Sequence, residues 1–484
     1  MEQVDTLAHT ALGAIRGVEH GGTAVFKGIR YATAARFAAP EPVGPWEGEL
    51  DATSYGPQCH QVPGALERLL GSGSLPFSED CLYVNVFTPS AGPGRRPVLV
   101  WIHGGAFTTG SGAMPWYHGS NLALRGDVVV VTLNYRLGAF GFLDLPGAAD
   151  GSGAASVNAG LLDQLTALRW VHDHVEAFGG DPDNVTIFGE SAGGASVVAL
   201  LAAPAAAGLF ARALAMSPSI PQLRSVERAE EASAHLLAAT GVEAEGLPTL
   251  PIELLLEAQA EVLASGGDRF TAFAPTADGV VLDAHPLAAA AASPVPLVIG
   301  TTRDEMLLFT AFDSAYSGLT RDDVVRRAAR YFGDDRADGA VAAYEGARPG
   351  ASPAQLASAI ATDEAFRTPA QRLAARRADA GNPTWMHWFT YPTPTFGGVL
   401  GACHGLDIPY AFDNLTRPGV ELFTGDGTDR QGVANTFAGA VVRYARTGDP
   451  GWPDYDTATR TTFVIDVDGG PIDDPEPELR ALWT

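Results

Sequence analysis

Gly189-Glu190-Ser191-Ala192-Gly193 constrains this chain more than any other stretch. Before it, Val185, Thr186, Ile187 and Phe188 are β-branched or aromatic and suit a short buried strand. After it, Ala, Val and Leu continue without a breaker to Pro204, which suits a helix. A turn from strand to helix this tight forces the central residue into strained backbone space. Side chains at positions 189 or 193 would collide with it. The strain lifts the Ser191 hydroxyl clear of the sheet, and the Ala192 N–H faces the oxygen of any carbonyl that the hydroxyl attacks.

The order of the other segments places this turn in a sheet. Residues 9–31 alternate apolar and polar across His20-Gly21-Gly22 and read as a hairpin. Residues 32–80 are proline-rich loop. Strands are expected at 81–88, 97–103, 127–135, 210–216, 295–300 and 384–391, with a last one near 463–467. Leu161, Leu165, Leu168, Val171 and Val175 recur at helical spacing over 158–178, and 428–447 reads as a further helix. Strand and helix in alternation predict a mostly parallel sheet covered on both faces. Residues 222–294 and 311–381 read as helical insertions above it. No linker interrupts the pattern, so the expectation is one catalytic domain over 1–484 with two helical lids.

Bulk properties exclude several classes. Thirty-one basic against 56 acidic residues leave a net charge of -25, which repels nucleic acid. No apolar run reaches the roughly 18 residues of a membrane span. The first residues lack a basic segment followed by an apolar core, so a cytoplasmic location is expected. Three cysteines are too few for a disulfide scaffold, and in a cytosol Cys59 and Cys81 are expected reduced.

A serine hydroxyl needs a base. Four histidines follow Ser191, and the base should sit on a loop at the carboxyl edge of the sheet. His235 falls in a helix, His285 precedes a proline, and His387 lies mid-strand between Trp385 and Trp388. His404 sits in a loop of small residues after a sheet strand, which makes it the candidate base. The group that orients the imidazole should follow a strand and precede the histidine. Asp304 and Glu305 both satisfy this, and composition does not choose between them. The loop His103-Gly104-Gly105-Ala106 ends a buried strand without side chains where a carbonyl needs close approach to backbone N–H groups.

The stretches FKGIRYA, SEDCLYVNVFTP, PVLVWIHGGAF, VVVVTLNYRLGAFGFL, NAGLLDQLTALRWV, FGGDPDNVTIFGESAGG, GTTRDE, CHGLDIPYAF and ARTGDPGWPDYD span nearly the whole chain. Together they resemble the type-B carboxylesterases, the family of para-nitrobenzyl esterases, animal carboxylesterases and cholinesterases. The resemblance implies an α/β-hydrolase fold with a substrate gorge and hydrolysis of small-molecule esters without a cofactor or metal. It implies Ser191, Glu305 and His404 as the triad, and Gly105, Ala106 and Ala192 as oxyanion donors. It implies supporting places for Glu190 and Ser217, and it pairs Cys59 with Cys81 as a family disulfide. Oligomeric state stays open between monomer and homodimer. The segment GIRYATAARF is shorter than its family counterpart, which bears on the gorge entrance. Cys403 is expected to be a packing residue.

Two rivals remain on the same fold. One is a binding protein, which typically lacks the nucleophile. The other is an amidase, carbamate or lactone hydrolase with the same triad. Phe107, Trp116, Phe273, Phe309 and Phe396 are candidates for lining the substrate pocket.

Overall fold

The computed structural model describes residues 4–64, 75–145, 157–265 and 272–484. Residues 65–74 of the loop-rich stretch and 266–271 of the first helical insertion lie outside the described residues.

Fifteen strands are found among the described residues: β1 (Val4–Thr10), β2 (Gly13–His20), β3 (Thr23–Arg30), β4 (Ala32–Thr33), β5 (Glu41–Pro42), β6 (Glu49–Asp51), β7 (Tyr83–Thr88), β8 (Arg96–Ile102), β9 (Val129–Leu133), β10 (Gly180–Glu190), β11 (Arg212–Met216), β12 (Leu297–Thr302), β13 (Thr384–Phe389), β14 (Thr462–Ile465) and β15 (Pro471–Ile472). The large sheet runs β1-β2-β3-β7-β9-β8-β10-β11-β12-β13-β14-β15, with β6 beside β2. From β9 to β14 all neighbours are parallel. The expected hairpin is β2 with β3, turned by Gly21 and Gly22 at positive φ. The sequence reading missed β1, whose side chains are mostly exposed.

The central strands are buried on both faces and send alternate side chains into two cores. Val98, Val100, Ile187, Ala213 and Ile299 join one core, with Leu161, Leu165 and Leu168 of the helix Ala159–His174. Leu99, Trp101, Phe188, Leu214 and Val298 join the other, against the helix Arg430–Thr447. Each fully buried side chain of this kind contributes about 1.5–3 kcal/mol of apolar transfer. The segment 311–381 builds a third cluster, from Val324, Val341, Tyr344 and Ile360, which Leu479 of the helix Pro477–Leu482 completes.

Because β8, β10, β11, β12 and β13 are parallel, their carboxyl ends share one edge of the sheet. Register fixes the alignment there, with Gly189 beside Ile102 and Glu190 beside Met216. Ligands of open α/β sheets bind outside such an edge. Among the described residues no helix is long and apolar enough to cross a membrane.

A buried ion pair ties the loop after β9 to the helix behind the sheet. Arg136 Nε and Nη2 donate to the two oxygens of Asp163 at 2.8 and 2.7 Å, and both residues are buried. Removing one partner strands the other charge in a dry site. Asp163→Ala is therefore expected to cost about 3–5 kcal/mol of stability, read by urea unfolding.

Candidate active site

Ser191 stands at the end of β10, with φ 59° and ψ -120°. That backbone region is costly for any side chain, and the surroundings hold it. A Cβ at Gly193 would lie 2.0 Å from the Ile102 carbonyl oxygen, and one at Gly189 would lie 2.6 Å from Gly193. Both flanking positions therefore require glycine, as the sequence pattern implies. The Ser191 N–H donates to Met216 O at 3.0 Å, and its carbonyl accepts from Ala195 N at 2.8 Å, which starts the helix Ala192–Leu201.

The loop after β8 turns through positive φ at Gly105, Ala106 and Phe107. Thr108 and Thr109 donate back to Gly105 O at 3.0 and 2.9 Å, locking the turn. Gly105 and Ala106 line the same cavity as Ser191 and His404. A Cβ at Gly104 would sit 3.1 Å from Ser191 Cβ, so the loop approaches the serine closely.

Glu305 is fully buried, and its carboxylate is held at both oxygens. Oε1 accepts from Ser217 Oγ at 2.6 Å and from Thr302 N at 2.7 Å, while Oε2 meets His404 Nδ1 at 2.6 Å. Ser217 follows β11 at φ 41°, a strained turn that presents its hydroxyl to the acid. Asp304 is turned elsewhere. Its Oδ2 accepts from Ala402 N at 2.9 Å and from Arg303 Nε at 3.0 Å, so it anchors the histidine loop instead of the imidazole.

His404 Nε2 lies 3.2 Å from Glu190 Oε1. No hydrogen bond joins the Ser191 hydroxyl to the imidazole among the described residues; the two share the cavity wall. Burial works against the imidazolium, but the Glu190 and Glu305 carboxylates outweigh it and hold His404 up to about 9. Burial raises Glu190 to about 7, with Glu305 adding repulsion against the pull of His404. Phe366 and Phe309 flank the imidazole at ring separations of 4.8 and 5.4 Å. Phe366 belongs to a π-helical turn, Asp363–Arg367.

The sequence reading missed several of these groups. Asp407, three residues past His404, is fully buried, and neither carboxylate oxygen has a hydrogen-bond partner. Burial, reinforced by Glu190 and Glu305, pushes it well above the usual carboxylate range. Its spacing from the histidine was a visible signal, but nothing in composition marks a buried acid. The π-helical turn had no signal. Of the aromatic candidates, Trp116, Phe309 and Phe396 line the cavity, whereas Phe107 and Phe273 are buried in the core instead. His387 is buried with burial lowering it to about 3, a packing residue of β13. Cys403 is buried, and burial pushes its thiol well above the usual range; Cys59 and Cys81 are free thiols. Among the described residues no cluster of His, Cys, Asp and Glu is arranged to hold a metal ion.

A strand-turn-helix serine facing a histidine and a buried acid, at the carboxyl edge of a parallel sheet, defines a hydrolase of the α/β class. The carboxylesterase family profile matches residues 4–471. Para-nitrobenzyl esterase of Bacillus subtilis (strain 168) is 41% identical over 97% of both chains. Phenmedipham hydrolase of Pseudarthrobacter oxydans is 36% identical over 96% of both. A solved carboxylesterase of Geobacillus stearothermophilus superposes with a TM-score of 0.87 at 41% identity, covering 99% of this chain and 100% of that one. The chain belongs to the carboxylesterase family and is a carboxylic ester hydrolase.

Two carboxylates on one imidazole must stabilise its charged form. In an NMR titration His404 is expected to titrate above 6.5. Glu190→Gln should lower its midpoint by on the order of one pH unit.

Proposed function

We propose that Ser191, His404 and Glu305 form the catalytic triad of this esterase, with Gly105, Ala106 and Ala192 as the oxyanion donors. The observation that carries this reading is the buried contact of Glu305 Oε2 with His404 Nδ1 at 2.6 Å, at a cavity that Ser191 also lines. His404 Nε2 accepts the Ser191 proton as Oγ attacks the ester carbonyl carbon. The tetrahedral oxyanion is held by the three backbone N–H groups, none of which has a backbone partner among the described residues. His404 then protonates the departing alcohol. Water attacks the acyl-enzyme with His404 again as base, releasing the acid and restoring Ser191.

Glu305 holds the Nδ1 tautomer, and Ser217 and the Thr302 N–H hold Glu305. Glu190 stabilises the imidazolium that forms in each step. Catalytic hydrogen bonds are often long in an unliganded site and tighten around substrate, which accommodates the open serine–histidine contact.

The cavity holds about 760 Å³ and is walled mainly by apolar and aromatic side chains. Uncharged esters with apolar groups on either side of the carbonyl match it best. The name of one relative, a para-nitrobenzyl esterase, points to esters of an aromatic alcohol. The segment 311–381 roofs the cavity with Phe312, Tyr331 and Phe366, and 222–294 touches it through Gln222, in keeping with one catalytic unit carrying two helical insertions. A reducing, cytoplasmic setting belongs to the same proposal, and the free Cys59 and Cys81 thiols are compatible with it.

Ser191→Ala is expected to lower kcat for p-nitrophenyl acetate by about 10⁴-fold or more, and an organophosphate should label Ser191 alone. Undiminished turnover by Ser191→Ala would remove the serine from the mechanism. Glu305→Gln should leave the fold intact and cost about 10⁴ in kcat, since an amide no longer fixes the tautomer.

A further inference from the structure

One helix of the cavity wall changes its winding where it passes His404. Pro353–Thr362 and Thr368–Asp379 are α-helical, and the turn between them, Asp363–Arg367, is π-helical. Its closing bond runs from the Thr368 N–H to Asp363 O, five residues back. Such wide turns are rare inside α-helices and gather at functional sites. This one carries Phe366 on the cavity side, with its ring 4.8 Å from the His404 imidazole. Asp363 and Arg367 belong to the same turn and are buried elsewhere.

What receives them is a segment distant in sequence, 474–484. Arg367 Nη2 donates to Pro475 O at 3.1 Å and lies 4.0 Å from Glu476 Oε2. Its guanidinium also covers Trp388, 3.8 Å from the ring centroid. Arg348 holds the same carboxylate with both terminal nitrogens, Nη2 at 3.1 Å from Oε2. Asp363 Oδ2 accepts from the Tyr344 hydroxyl at 2.5 Å, and that hydroxyl accepts from Trp483 Nε1 at 3.0 Å. The π-helical turn is thus tied to 474–484 twice, directly at Arg367 and through Tyr344 at Asp363.

The segment is itself held under strain. Asp474 and Glu476 sit at φ 43° and 60°, which a side chain tolerates only where the surroundings enforce it. Arg480 holds Asp474 at both oxygens, at 2.8 and 2.7 Å. Leu479 anchors the helix Pro477–Leu482 in the third apolar cluster. Apolar packing alone could hold a helix here. Buried charges add little net stability, and their best use is to fix one packing among several. A turn that must keep one ring against one imidazole needs such fixing.

We propose that Glu476 is a positioning residue for ester hydrolysis: through Arg367 it fixes the π-helical turn that sets Phe366 against His404. The ring shields one side of the imidazole and limits its swing. Nδ1 then stays on Glu305 while Nε2 serves the serine. The inference rests on His404 as the base of the proposed triad.

The test is a double-variant cycle on p-nitrophenyl acetate hydrolysis, with Glu476→Gln, Phe366→Leu and the two combined. Circular dichroism and urea unfolding establish that each variant is folded at the assay temperature. Glu476→Gln is expected to lower kcat about tenfold with KM within about twofold, the scale of a small misplacement relayed to a reacting group. Phe366→Leu should lose about as much. The combined variant should lose no more than Phe366→Leu alone, because both changes act through one ring. A purely stabilising role would shift the urea midpoint and leave kcat of the folded enzyme unchanged, and that result overturns the proposal. Losses that multiply in the combined variant overturn it too. Should Glu476→Gln fail to fold, Trp483→Phe carries the same cycle, since it removes one hydrogen bond and keeps a ring in place. A loss of kcat of about two- to threefold that vanishes beside Phe366→Leu is then expected, and no loss overturns the proposal. His404→Gln reports separately on the base. Full turnover there sinks that assignment and the positioning role with it, whereas unchanged kcat in Glu476→Gln beside an inactive His404→Gln sinks the positioning role alone.

Discussion

The close approach of β8 to the turn after β10 is the constraint from which the rest of the site follows. The Ile102 carbonyl presses so near to Gly193 that no side chain fits between them. That contact forces the chain from strand to helix without an intervening loop. It holds Ser191 in a backbone state that an unsupported chain would leave. The same contact brings the glycine loop after β8 against the serine, so the proposed nucleophile and the proposed oxyanion donors are positioned by one packing event.

Around that turn, the parallel sheet acts as a distributor. Each of the strands β8, β10, β11, β12 and β13 ends on the same edge and hands over one group of the proposed site. The groups are the glycine loop, Ser191, Ser217, Glu305 and, after a longer loop, His404. A parallel sheet achieves this because its strands all run the same way, so the loops that leave them gather at one edge. The helical segment 311–381 covers that edge with aromatic side chains. The site is thus apolar in its walls and densely charged in its floor.

The floor is electrostatically tense. Glu190, Glu305 and Asp407 gather around one imidazole at the buried floor of the cavity, and burial penalises the charges of Glu190 and Asp407. The imidazolium relieves part of that tension, and both neighbouring glutamates favour it. An imidazolium forms at every step of acyl transfer by a serine. An environment that favours it stabilises the transition state in which it forms. The strain at Ser191 and Ser217 has the same character: local cost is tolerated where a hydroxyl must be held in one place, at the cavity for Ser191 and against Glu305 for Ser217.

Much of this was written in the chain itself. Local rules suffice for the serine turn, because glycine on both sides of a strand-helix junction has a steric meaning without knowledge of the rest. The two-sided burial of β8, β10 and β12 follows from their unbroken apolar runs, and His404 stands out by its small neighbours. The choice between Asp304 and Glu305 lies outside local rules. Neighbouring side chains diverge, and only the positions of Ala402, Ser217 and the imidazole decide which carboxylate turns inward. The same holds for Phe107 against Phe309 and for the buried Asp407. Sequence determined which groups are available and in what local geometry; tertiary structure decided which of them meet, because burial and contact depend on segments hundreds of residues apart.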